Sequence, residues 1–167
     1  MSAEVVVRPV RPAEFAAVGD ITVAAYAAIE GFSPGPRYEA EMRDVAARIE
    51  SAEVLVASTP DGRVLGAVTF VPGLGPLAEF DGADESGMRM LAVDPAAQGR
   101  GVGRRLALAC LDRARETRRA RLVLHTTGAM DAAHALYRSL GFARTPERDL
   151  RTPGGLVLEA YVFELSG

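Results

Sequence analysis

The segment from Met88 to Arg118 constrains this chain more than any other. An apolar, strand-like run, MRMLAV, passes through DPAAQGRGVG into a stretch with helical periodicity that starts near Gly103. Asp94-Pro95 stops the strand, since proline cannot donate to a ladder. Glycines at alternate positions (Gly99, Gly101, Gly103) allow backbone conformations closed to other residues and leave no side chain in front of the amides. The first turn of the following helix carries unpaired N–H groups and the positive end of the dipole, an arrangement suited to a phosphate. Arg100, Arg104 and Arg105 add charge beside those donors.

Two common phosphate-binding turns do not fit. The dinucleotide fingerprint G-x-G-x-x-G needs its third glycine where Arg104 stands, and no acidic residue lies near the end of the following strand, Leu122-Val123-Leu124. The P-loop needs Gly-Lys-Ser/Thr, and all 19 basic residues of this chain are arginine. From Gln98 to Arg121 eight arginines face only Asp112 and Glu116, while the whole chain carries −3. That contrast suggests an anionic ligand at one place. A nucleic-acid partner would need a broader basic face, and the sequence pI of about 5.5 opposes one. No window is long and apolar enough to span a membrane, the N-terminus reads as a strand, and the single cysteine, Cys110, fits a reducing cytoplasm. No His/Cys spacing suits a metal.

The rest of the chain reads as one α/β domain over residues 1–167. A strand covers about Glu4 to Val10, and a helix follows Pro12 with Phe15, Val18, Thr22 and Ala25 near helical spacing. GFSPGP (31–36) forms a loop, and a second helix runs from about Tyr38 to Glu50. EVLVAS and RVLGAVTFV flank Thr59-Pro60-Asp61-Gly62 as a hairpin. After a Gly/Pro/Asp-rich connection (73–85) come a strand from Met88 to Val93, the helix from Gly103 to about Arg118 and a strand from Arg121 to His125. A helix from about Met130 to Leu140 ends at Gly141, and two strands follow, about Arg144 to Leu150 and Leu156 to Leu165. The expected order is βααββ, βα, βα, ββ.

Gln98-Gly99-Arg100-Gly101-Val102-Gly103 resembles the Q/R-x-x-G-x-G/A signature of the GNAT acyltransferase superfamily, with LAVDP in front of it. HALYRSLGF (134–142) is similar to the family's second hallmark, a helix bearing Leu-Tyr and ending Gly-Phe. The resemblance implies a mixed, mostly antiparallel sheet of about seven strands flanked by about four helices, with acetyl-CoA in a splay between the fourth and fifth strands. Backbone groups of Leu91, Ala92 and Val93 would then line the pantetheine arm, and Gln98, Gly99, Arg100, Gly101, Val102, Gly103 and Arg104 the pyrophosphate. Val102, Leu106 and Cys110 would pack the helix, which makes Cys110 core rather than nucleophile.

Amide formation needs a neutral amine. An alkyl amine of pKa about 10.4 is only ~0.04% neutral at pH 7, a deficit of roughly 4.6 kcal/mol, so a group or water chain must take its proton. The leaving thiolate needs a donor, and Tyr137 matches the family's general acid; otherwise it is a packed helical aromatic. Some relatives carry a glutamate base twelve residues before that tyrosine, where this chain has His125. Glu85, beside Glu79, Asp81 and Asp84 in an acidic stretch, is the other candidate, with a water relay as the third. Gly87 stands where many relatives have an acidic residue, and Ala129 where many have an asparagine. His134 shares a helix face with Tyr137.

On the acceptor side the resemblance points to the first two helices and their loop, here with Tyr26, Glu30, Phe32 and Tyr38, and to a late hairpin around Thr152-Pro153-Gly154-Gly155. A small molecule or a peptide could supply the amine, and the protein could be a monomer or a homodimer. The expected activity is acetyl transfer by direct attack in a ternary complex. The alternative is a non-catalytic acyl-CoA sensor or interaction module on the same fold.

Overall fold

In the computed structural model, which describes residues 4–29, 31, 33 and 35–165, the β-branched runs of the sequence come together in a single sheet. The strands are β1 (Val6–Pro9), β2 (Glu53–Ser58), β3 (Val64–Val71), β4 (Glu85–Val93), β5 (Arg121–Thr127), β6 (Ala143–Arg144), β7 (Leu150–Arg151) and β8 (Val157–Glu164). Neighbours follow the order β1-β2-β3-β4-β5-β8-β6, with β7 also on β8. All pairs are antiparallel except β4 with β5. The helices are α1 (Phe15–Ala27), α2 (Pro36–Arg43), α3 (Val45–Arg48), α4 (Val102–Glu116) and α5 (Asp131–Leu140). The expected mixed sheet is present, with eight strands and five α-helices among the described residues. None of the described helices is long and apolar enough to cross a membrane.

Helices cover both faces of the sheet, which explains why the hairpin strands are apolar at nearly every position. Along β2 the side chains alternate. Leu55 and Ala57 join the core beneath α4, while Val54 and Val56 pack with Val18 of α1 and Val45 of α3. The α4 stripe Val102, Leu106, Cys110, Leu111 and Ala114 is fully buried against Val68, Phe70, Leu122 and Tyr161. Burying a leucine such as Leu106 stabilises the fold by about 1.5–3 kcal/mol. Cys110 is core, as the resemblance implied, and burial pushes its thiol well above the ordinary range.

Four stretches differ from expectation. The helix expected over Tyr38–Glu50 breaks at Asp44, whose carboxylate accepts the Ala47 amide at 3.0 Å and caps α3. Arg48 then turns back, donating to the end carbonyls of α2 at Glu41 (2.7 Å) and Met42 (3.1 Å). The strand expected over Arg144–Leu150 survives only as the two-residue β6 and β7. Pro146 has no N–H to give a ladder, and Pro146–Arg148 forms a 3₁₀ turn instead. β4 begins at Glu85 rather than Met88, and β5 extends two residues past His125.

Candidate active site

β4 and β5 pair only from Glu85–Met88 against Arg121–Leu124, although β4 continues to Val93 and β5 to Thr127. The register between β3 and β4 slips between Ala67 and Thr69, and opposite that slip Met90 takes a left-handed φ of 53°. Such a bulge bends its strand and raises its twist, at a strain of order 1–3 kcal/mol for a non-glycine residue. The two strands therefore part, and a cavity of about 510 Å³ opens between them. Its wall includes Met90 and Leu91 of β4, His125 and Thr127 of β5, and Tyr137 of α5. Leu91 and Val93 lie along the diverging edge, while Ala92 is buried.

At the end of β4, Asp94 accepts the Ala96 amide at 3.0 Å and caps a 3₁₀ turn over Pro95–Ala97, with Ala97 buried beneath it. Gly99 and Gly101 then adopt φ values of 82° and 77°, where an L side chain is strained. A Cβ added at either would meet nothing within 4 Å, so backbone conformation, not crowding, requires glycine there, and the space in front of the turn is open. Gly103 is different: it is helical, and an added Cβ would make ordinary contacts with Leu136 and Val93. The first amides of α4 precede the intrahelical ladder, and Arg100 and Arg104 beside them are exposed. Arg104 donates to Ser139 of α5 at 3.0 Å, tying the helices together, whereas Arg105 turns away to the Val5 carbonyl at 2.8 Å.

The arginine-rich segment does not gather at one place. Arg113 pairs with Glu53 (3.0 Å), Arg115 with Asp112 (3.6 Å) and Arg121 with Glu164 (2.9 Å). α4 spans fifteen residues, roughly 22 Å, and separates these pairs from the turn. Only the arginines at its start can serve an anion there.

Tyr137 is buried, with its ring edge-on to Phe142 (5.8 Å between centroids) and tilted against Tyr161 (5.9 Å). α5 is closed by Gly141 at φ 104°, which swings Phe142 back to donate its amide to the Tyr137 carbonyl at 3.0 Å. Burial pushes the Tyr137 phenol well above its ordinary range, so it keeps its proton at neutral pH. One turn earlier, His134 is fully engaged. Its Nε2–H donates to the Thr127 carbonyl (2.8 Å), so its Nδ1 accepts from the Tyr161 hydroxyl (2.6 Å). It is a packed, satisfied core histidine.

The two base candidates occupy different environments. His125 lines the cavity, and its Nε2 lies 3.0 Å from the Arg148 carbonyl. A carbonyl only accepts, so Nε2 carries the hydrogen and, in the neutral ring, Nδ1 carries the lone pair. That Nδ1 is buried without a partner. Glu85 belongs to β4 rather than to a solvated acidic loop. It is 1% exposed, absent from the cavity wall and held by Arg148 through two bonds of 3.1 and 2.5 Å. The Gly82 amide adds a third bond at 3.0 Å. At Gly87 a Cβ would sit 2.7 Å from the ring of Phe80, which occupies the space of the missing acidic side chain.

Tyr26 and Tyr38 form the far wall, their rings edge-on at 6.3 Å, and burial raises both phenols. Glu30 and Phe32 lie outside the described residues. Arg89 pairs with Glu79 at 3.1 Å, and both reach the cavity; Thr152 and Gly154 of the β7–β8 connection face them. Arg89, Glu79, Phe80 and Arg148 carry no motif signal, since each acquires its place only when distant segments pack.

Comparison with known proteins agrees with this architecture. The model of the acetyltransferase (GNAT) family matches residues 20–142. A mycothiol acetyltransferase of Saccharomonospora viridis is 36% identical over 101 residues, 60% of this chain and 32% of that protein. The N-alpha-acetyltransferase RimI of Mycobacterium tuberculosis is 52% identical over 54 residues, 32% of each chain. The matched stretch thus spans about a third of these relatives. The structure of yncA from Salmonella typhimurium, solved with its cofactor acetyl-CoA, superposes with a TM-score of 0.71 at 26% identity, covering 97% of this chain and 94% of that one. With the family match running from α1 through the glycine turn to the end of α5, the chain belongs to the GNAT acetyltransferase family.

Proposed function

We propose that this protein transfers the acetyl group of acetyl-CoA to a primary amine by direct attack in a ternary complex within the cavity between β4 and β5. The observation that carries this reading is the parting of the two strands, which opens the unpaired edge of β4 directly upstream of the glycine turn and places Tyr137 in the wall. The residues present fit the donor. The open turn at Gly99–Gly101, the first amides of α4, Arg100 and Arg104 suit its pyrophosphate, with Gln98, Val102 and Gly103 setting the turn. The backbone of Leu91–Val93 suits the amide-bearing arm. Acetyl-CoA bound to yncA and the α-amino specificity in the name of RimI support the same donor and an amine acceptor.

In this mechanism the neutral amine attacks the thioester carbonyl, and its proton is relayed toward His125, whose Nδ1 is the unpaired acceptor behind the cavity wall. The tetrahedral intermediate expels the thiolate, and Tyr137, which holds its proton at neutral pH, donates it to sulfur. Tyr26, Tyr38, Glu79, Arg89 and the β7–β8 connection shape the acceptor's end. The test pairs calorimetric titration of acetyl-CoA with a panel of amines assayed for free thiol and for acetylated product. Micromolar binding with thiol release matched by product supports the proposal. Binding without turnover on any amine would instead identify a sensor.

A further inference from the structure

Arg148 joins the two base candidates: its guanidinium holds Glu85 and its own carbonyl holds His125. The Glu85–Arg148 pair spans 63 residues of sequence and pins the 3₁₀ turn Pro146–Arg148 to the first residue of β4. Asp149, the next charge along the chain, is already committed: it is taken by Arg144 (2.5 and 2.7 Å) and by the Ala160 amide (2.9 Å). Arg121, on the other side of Glu85, approaches only to 3.8 Å and binds Glu164 more closely. Arg148 is therefore the closest charged partner of this fully buried carboxylate, and the fork–fork geometry fixes the guanidinium plane as well as its position.

A fixed turn means a fixed carbonyl, and the Arg148 carbonyl is the group that selects the proton-bearing nitrogen of His125. We infer that Glu85 is a positioning residue: through Arg148 it locks the His125 ring with Nε2–H donated to the turn and the Nδ1 lone pair unpaired, as the terminal acceptor of the proton that leaves the amine. The unpartnered, buried Nδ1 is the second observation: in the neutral ring it is the one nitrogen of His125 able to take a proton, whereas both nitrogens of His134 are engaged. The inference rests on the assignment of His125 as base, and it gives Glu85 a role in the reaction without contact with either substrate.

The chain has two histidines, so ¹⁵N-histidine labelling reports each directly, with His134 as an internal reference. In the native protein the Nε2-bound proton of His125 should exchange slowly and Nδ1 should show the shift of an unprotonated nitrogen. Glu85→Gln keeps the volume and the Gly82 bond but weakens the hold on Arg148. It should speed exchange of that proton, leave His134 unchanged, and lower kcat about 10- to 100-fold with little change in KM for acetyl-CoA. Arg148→Met alone strands a buried charge and can unfold the protein, so the neutral pair Glu85→Gln/Arg148→Met serves as the second variant and should repeat both effects. Retained slow exchange with unchanged kcat in both folded variants overturns the inference. A loosened ring with unchanged kcat also overturns it; if His125→Ala is then equally active, the fault lies in the base assignment itself.

Discussion

Removing the hydroxyl of Tyr137 separates chemistry from folding unusually well. The ring is buried among Phe142 and Tyr161, while the hydroxyl has no hydrogen-bond partner among the described residues. Tyr137→Phe keeps the packing and breaks no bond to the protein, so stability should change by less than about 0.5 kcal/mol, a Tm shift within roughly 2 °C. If Tyr137 protonates the departing thiolate, kcat should fall about 10²- to 10⁴-fold, equivalent to roughly 2.7–5.4 kcal/mol on the barrier. The affinity for acetyl-CoA should stay within about threefold, since the turn and the edge of β4 are untouched. The assay is steady-state thiol release with a confirmed acceptor, together with calorimetric titration and a thermal melt of the same preparation. A variant with native kcat refutes the general-acid role. A kcat loss accompanied by a large fall in Tm refutes the claim that the hydroxyl is idle in the fold.

Gly101→Ala places a side chain at φ 77° with open space around it, so it should cost about 1–2 kcal/mol of stability from backbone strain and weaken acetyl-CoA binding, measured by melting and titration. Gly87→Ala drives a Cβ to 2.7 Å from the Phe80 ring and should destabilise by about 1–3 kcal/mol; denaturant melts of Gly87→Ala with and without Phe80→Leu should show non-additive coupling. The Asp149 carboxyl is held down to about 2, chiefly by its hydrogen bonds to Arg144 and then by the Ala160 amide. Because its folded pKa lies below its unfolded value near 3.9, the stability it contributes is fully present above about pH 4 and lost as pH falls toward 2. Asp149→Asn should flatten that part of the Tm–pH curve and leave it parallel to native above pH 5.

The features legible in the sequence were local ones. The alternate glycines follow from spacing within one element, and Gly99 and Gly101 take left-handed φ while Gly103 is helical; the buried stripe Val102-Leu106-Cys110 is the one the resemblance implied. Asp44 before Val45 was a readable cap that the smooth apolar period concealed. The charge of Gln98–Arg121 misled because adjacency along a helix is not adjacency in space: its arginines end on Glu53, Asp112 and Glu164. Glu85 looked solvated among its acidic neighbours because its partner lies 63 residues away. Nothing in the string MRMLAV marks Met90 for φ 53°, at the bulge beyond which β4 and β5 part.

In the proposed mechanism acetyl-CoA lies in the gap between β4 and β5 with its sulfur beside Tyr137. A crystal structure of the protein with coenzyme A and an amine tests this most directly. The arm should run along Leu91–Val93, the pyrophosphate should sit on the amides after Gly99, and the thiol should lie within about 3.5 Å of the Tyr137 hydroxyl, with the amine on the His125 side. Coenzyme A bound elsewhere, or a sulfur out of reach of Tyr137, would contradict it.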